Sequence, residues 1–110
     1  MTTRTDIATS ADYAHVQTIA RQVAGIVASI VHDSSIRVLL FGSWADGTPR
    51  PHSDIDLAID GGPVTGSQMT DIREACDQMS TLYTVDLVDL ARASTEFREQ
   101  VRRQARVVIP

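Results

Sequence analysis

Lysine is missing: all ten basic residues are arginine, and the 110-residue chain carries a formal net charge of −4. That balance excludes a general nucleic-acid coating protein, and no direct nucleic-acid partner is expected. Cysteine is nearly missing too. Cys76 stands alone, which excludes an intramolecular disulfide, so nothing requires an oxidising compartment and the cytoplasm is the expected location. Long apolar runs are also lacking. The longest, Ala24 to Val31, is eight residues with Gly25 and Ser29 inside it, against the ~20 a membrane helix needs. Met1 to Ser10 is polar and has no secretory core. What remains is 43% apolar, and a chain of this length buries roughly 65% of its unfolded surface. One domain over residues 1–110 is the expectation.

Charge is unevenly spread. Residues 1–91 carry five arginines against twelve acids, a net −7, whereas residues 92–110 carry five against two, a net +3. A basic tail on an acidic body reads as a solvated helix face or as a partner-binding or substrate-binding one. Hydrophobic spacing supplies the elements. Val16, Ile19, Val23, Ile26 and Ile30 lay one stripe along a helix over 11–31, capped by Ser10 or Thr9. Ile36 to Phe41 reads as a buried strand ending at Gly42, and 43–53, with Gly47, Pro49 and Pro51, as a loop. Ile55 to Ile59 alternates as a half-buried strand. A helix over 67–79 follows, then a strand over 83–90, a helix opened by Ser94 and a short strand over 106–109. The expected fold class is α/β (α+β), a small mixed sheet with helices packed mainly on one face.

Asp54 and Asp56 are the least expected residues, because two carboxylates on one face of an apolar strand repel each other and lose hydration. A divalent cation offsets both costs, and alternation sets their Cα atoms about 6.6 Å apart, close enough to share one ion or bracket two. Gly42 and Ser43 end the preceding strand, where glycine permits close approach and amides and a hydroxyl can receive phosphate oxygens. The two strands are expected side by side. Asp86 and Asp89 have opposite parity in the third strand, so only one shares the Asp54/Asp56 face. Asp86 is the better candidate, and Asp89 reads as a solvated or capping acid. Trp44 is expected to pack over the loop, His52 to be a loop histidine without a second histidine placed beside it, and Cys76 to be a small core hydrophobe.

Phe41-Gly42-Ser43-Trp44-Ala45-Asp46-Gly47 followed by Ser53-Asp54-Ile55-Asp56-Leu57 resembles the signature of the polymerase-β-like nucleotidyltransferase superfamily. Compact length and the later Asp86 make the chain similar to its minimal nucleotidyltransferase branch, often paired with HEPN-domain toxins. The resemblance implies transfer of a nucleoside monophosphate from a nucleoside triphosphate such as ATP to a hydroxyl. It implies that Gly42 and Ser43 hold the triphosphate, that Asp54 and Asp56 ligate Mg²⁺, and that Asp86 completes a second metal site and helps deprotonate the acceptor. Arg50 is a further candidate phosphate contact. One departure stands out: members frequently carry arginine where this chain has Asp46, a charge unfavourable beside a triphosphate unless it points away.

Three functions follow from that resemblance. The first is a Mg²⁺-dependent antitoxin that moves AMP from ATP to a hydroxyl, tyrosine for choice, of a cognate HEPN ribonuclease toxin. The second is a non-catalytic antitoxin that masks its partner. The third is a small-molecule nucleotidyltransferase, disfavoured because 110 residues leave little for an acceptor pocket. A bare catalytic sheet needs another chain to present the hydroxyl, so a homodimer or hetero-oligomer is expected.

Overall fold

The computed structural model describes residues 7–110, so most of the polar opening stretch, with Arg4, lies outside the described residues. Helix α1 runs Ser10–Val31. Thr9 caps it: its hydroxyl accepts from Asp12 N while the Asp12 carboxylate accepts from Thr9 N at 2.8 Å. Such a reciprocal box is worth about 1 kcal/mol. The apolar stripe buries Val16, Ile19, Val23 and Val27. Strand β1 follows at Arg37–Phe41, then a single helical turn α2 at Ser43–Asp46. That turn corrects the expectation of loop over 43–53, and its cause is local: the Gly42 carbonyl accepts from both Ala45 N and Asp46 N at 3.0 Å. Strand β2 spans Ile55–Asp60, α3 Gly66–Asp77, β3 Val85–Asp89, α4 Thr95–Gln104 and β4 Arg106–Val108.

The sheet order is β3-β2-β1-β4, with β1 antiparallel to both β2 and β4 and β2 parallel to β3. The parallel pair requires a crossover, which α3 supplies. Ile55, Leu57 and Ile59, all fully buried, point into a core shared with α1 and α3. Each contributes roughly 1.5–3 kcal/mol by leaving water. The opposite face carries a smaller cluster, Leu39, Ala58, Leu90 and Val101, closed by Phe41 and Phe97 edge to face at 5.8 Å. Helices therefore lie mainly on one face, with α4 alone on the other. Among the described residues no helix is long and apolar enough to cross a membrane.

Candidate active site

Register decides which acids meet. β1 and β2 align Phe41 with Asp56, and β2 and β3 align Asp56 with Asp86. Gly42, Asp56 and Asp86 thus form a row across three neighbouring strands at one end of the sheet. Asp54 sits just before β2, where Ile55 N donates to Thr84 O at 2.8 Å and opens the parallel ladder. Asp89 aligns with Ile59 instead.

The Asp56 carboxylate lies directly against Gly42. A Cβ added to Gly42 would overlap Asp56 Oδ2 and stand 3.1 Å from its Cγ, and the backbone φ there is +74°. Both facts demand glycine. Beyond it the chain is clamped: buried Trp44 donates from Nε1 to Ser53 O at 2.9 Å. Because Ser53 immediately precedes Asp54, this bond ties the glycine-serine turn to the carboxylate strand. Trp44 also meets Tyr13 and Tyr83 edge-on at 5.1 and 5.9 Å. It is packed, as expected, and not free to stack on a base.

The three carboxylates share one field. Asp56 has its pKa raised, first by burial and then by the charges of Asp86 and Asp54. Among the described residues none of the three has an arginine partner. Nor do three such side chains gather tightly enough there to cage a metal by themselves. This donor set still fits Mg²⁺, which takes one or two carboxylates, keeps several waters and completes its shell with substrate phosphate oxygens.

Other candidates fall elsewhere. Arg50 is exposed on the outer bend of the loop, where its backbone N–H donates to Ser53 Oγ at 2.9 Å. Asp46 is exposed and borders a hollow of about 400 Å³ with Tyr13, Gln17 and Arg106, on the side of α1 and β4. His52 is a loop residue at φ +69°, its ring 5.5 Å from Tyr83. His15 flanks the same ring from α1 at 5.5 Å, a neighbour that sequence spacing did not reveal. Cys76 is half-buried against the core, and burial followed by the charge of Asp77 pushes its thiol pKa up.

Comparison with known proteins identifies the frame around this row. Residues 26–110 match the family model described as "Polymerase beta, Nucleotidyltransferase". The chain belongs to that family. It is 36% identical over 67 residues to the Haemophilus influenzae probable protein adenylyltransferase MntA, covering 60% of this chain and 59% of that protein's length. A solved toxin–antitoxin structure with AMP-PNP is 28% identical over 77% of this chain and 71% of that one, with a TM-score of 0.50. A candidate minimal nucleotidyltransferase is 27% identical over 83% of this chain and 93% of its own, with a TM-score of 0.59. The mutant MntA–HpeT toxin–antitoxin structure, at 23% identity and a TM-score of 0.59 over 79% of this chain and 69% of that one, shares the fold.

Sequence reasoning missed the acids at the far end of this family's sheet. Asp60 is only 5% exposed and binds two arginines, Arg37 at 3.1 Å and Arg102 at 2.7 Å. Burial alone would raise its pKa, but the hydrogen bonds and charges of Arg102 and Arg37 win and hold it low. Asp89 is buried, not solvated, and it does cap: it accepts from Ala91 N and Val64 N at 3.1 and 3.0 Å. The arginine tail is equally occupied. Arg98 donates to Leu90 O at 2.9 Å, Arg102 reaches Asp60, and Arg106 reaches Ala45 O at 3.3 Å. Three of the tail's five arginines are therefore used within the fold, tying α4 to the turn after β3 and to β2, and β4 to α2. The available signal was parity, since Asp60 shares the strand face of Asp54 and Asp56.

Proposed function

We propose that this chain is an antitoxin that transfers AMP from ATP to a hydroxyl, that of a tyrosine, on a cognate HEPN-domain ribonuclease toxin in the cytoplasm. The observation that carries the reading is the row of Gly42, Asp56 and Asp86, with Asp56 laid against a glycine whose replacement would have to displace that carboxylate at a positive φ. Family membership supports transfer chemistry. Similarity to a probable protein adenylyltransferase, and to a toxin–antitoxin structure with AMP-PNP, supports the donor and the class of acceptor.

In this reading Gly42 and Ser43, with Arg50 from the loop, hold the triphosphate. Asp54, Asp56 and Asp86 would hold two Mg²⁺ ions, whose charge stabilises the attacking and leaving oxygens of an in-line displacement. The rest falls to the protein's own groups. The Asp86 carboxylate takes the proton of the acceptor hydroxyl. That oxygen bonds to the α-phosphorus, the bond from the α-phosphorus to the oxygen bridging to the β-phosphate breaks, and pyrophosphate departs with the electron pair. The clamp from Trp44 to Ser53 keeps the phosphate turn and the carboxylates at fixed separation, which matters because this catalysis is mostly positioning.

The test incubates the chain with α-labelled ATP, Mg²⁺ and a cognate HEPN-domain protein. Label on that protein, lost with Asp56→Asn, is the expected result. Neutralisation of the toxin without label would establish masking by binding, the reading that exposed Asp46 beside the turn favours.

A further inference from the structure

We infer that the outer edge of β3 is the docking strip for the acceptor: an extended, basic segment of the partner lies along Val85–Leu87 and turns its hydroxyl side chain toward Asp86. This rests on the transfer reading above, and geometry supplies the direction. In an in-line displacement the attacking and leaving oxygens stand on opposite sides of phosphorus. With the phosphates over Gly42 at the end of β1 and the reaction centre at Asp56 on β2, the leaving pyrophosphate lies toward β1. The acceptor must then approach from β3, which is the edge strand on that side of β2.

That edge is built to receive a strand. Ile55 N bonds to Thr84 O, so even-numbered residues of β3 turn their backbone groups toward β2 and odd-numbered Val85 and Leu87 turn theirs outward. Beside them lies a hollow of about 240 Å³, lined by Arg73, Cys76, Asp77, Val85, Asp86 and Leu87. Arg73 Nη2 donates to Leu87 O at 3.1 Å. A cationic side chain over an open edge discourages unwanted pairing, and an incoming segment would exchange its own N–H for this one guanidinium bond. Charge sets the class of occupant. With Asp86 given over to the metal, Asp77 and Arg73 balance around the hollow, and the surrounding body of net −7 attracts a basic stretch and repels an acidic one.

The chain's single cysteine lines this hollow and reports on it without mutation. Alkylation of Cys76 by N-ethylmaleimide is followed by mass spectrometry in mildly alkaline buffer, for the chain alone, with ATP and Mg²⁺, and with the HEPN-domain protein. The expected result is alkylation about tenfold slower when that protein is present at about ten times its Kd, and unchanged with ATP and Mg²⁺ alone. Full alkylation within a formed complex overturns the proposal, as does protection by ATP and Mg²⁺ alone, or protection that grows with the chain's own concentration. The label assay separates this inference from its foundation. Transfer of label with Cys76 unprotected removes the docking strip and keeps the transferase, whereas protection without label keeps the strip and removes the transferase.

Discussion

At one end of the sheet Asp60 is gripped by Arg37 and Arg102, and buried Asp89 accepts two backbone N–H groups with Arg92 beside it at 3.5 Å. At the other end, on the same strands, Asp56 and Asp86 face each other across the parallel register with Asp54 alongside and no arginine among the described residues. Identical side chains therefore have opposite electrostatics. Paired acids hold α4 and the turn after β3 in place, and their neutralisation comes from within the chain. The unpaired acids leave Asp56 with a raised pKa, a cost the fold carries and that a bound cation would remove. Shifted carboxylates of this kind cluster at functional sites, while satisfied ones mark architecture.

The comparison breaks most directly at Asp56. Asp56→Asn is expected to lower label transfer about a thousandfold, the scale of a lost electrostatic stabiliser, while its urea midpoint stays at or above that of the parent. The sign follows from linkage: a carboxyl whose pKa is raised by folding destabilises the folded state once ionised. The stability advantage of Asp56→Asn should be largest near neutral pH and vanish as acid protonates Asp56 in the folded and unfolded chain. Gly42→Ala comes next. The new methyl must displace the Asp56 carboxylate at a positive φ, so transfer should fall about a hundredfold and stability by about 1–3 kcal/mol. A Gly42→Ala protein with parental activity would detach the turn from the chemistry.

Asp60→Asn reverses the pattern. Its arginines are half exposed, so the loss is set at about 2 kcal/mol, between a buried pair and a surface pair. Urea denaturation reads it, and the folded fraction should retain its kcat. Because the Asp60 pKa is lowered, its contribution is present above the ordinary carboxylate range and lost as pH falls through the lowered value. Asp60→Asn should therefore be most damaging at neutral pH and nearly harmless in strong acid. The two asparagine variants are predicted to diverge from the parent in opposite directions at neutral pH and to converge on it together in acid.

Much of this was legible in the residues, for reasons that differ by region. Strict alternation from Ile55 to Ile59 and the stripe from Val16 onward fixed faces and elements, because burial enforces period. Parity allowed only one of Asp86 and Asp89 onto the Asp54/Asp56 face, and the place of Asp86 inside the apolar run, with Asp89 near its end, chose between them. What pattern cannot supply is which strands are neighbours and in what register, so the alignment of Arg37 with Asp60, 23 residues apart, left no local trace. The tail arginines were ambiguous for the same reason: a basic helix face looks alike whether its cations meet solvent, a partner or the chain's own carbonyls. The turn α2 escaped because four residues are too few for periodicity to register.

Arg50 gives the smallest expected effect and sharpens the boundary between the two classes of site. Its guanidinium makes no ion pair with the chain's own acids among the described residues, unlike the arginines at Asp60, so its removal should leave stability within about 0.5 kcal/mol. If it meets a phosphate in the bound state, Arg50→Ala should raise the KM for ATP about three- to tenfold with kcat unchanged, the signature of lost uniform binding. A fall in kcat at constant KM would instead place Arg50 among the groups that act only in the transition state. An unchanged KM would reduce it to a loop residue. The phosphate grip would then rest on Gly42 and Ser43, making the Asp56 end of the sheet still more dependent on metal than the Asp60 end is on arginine.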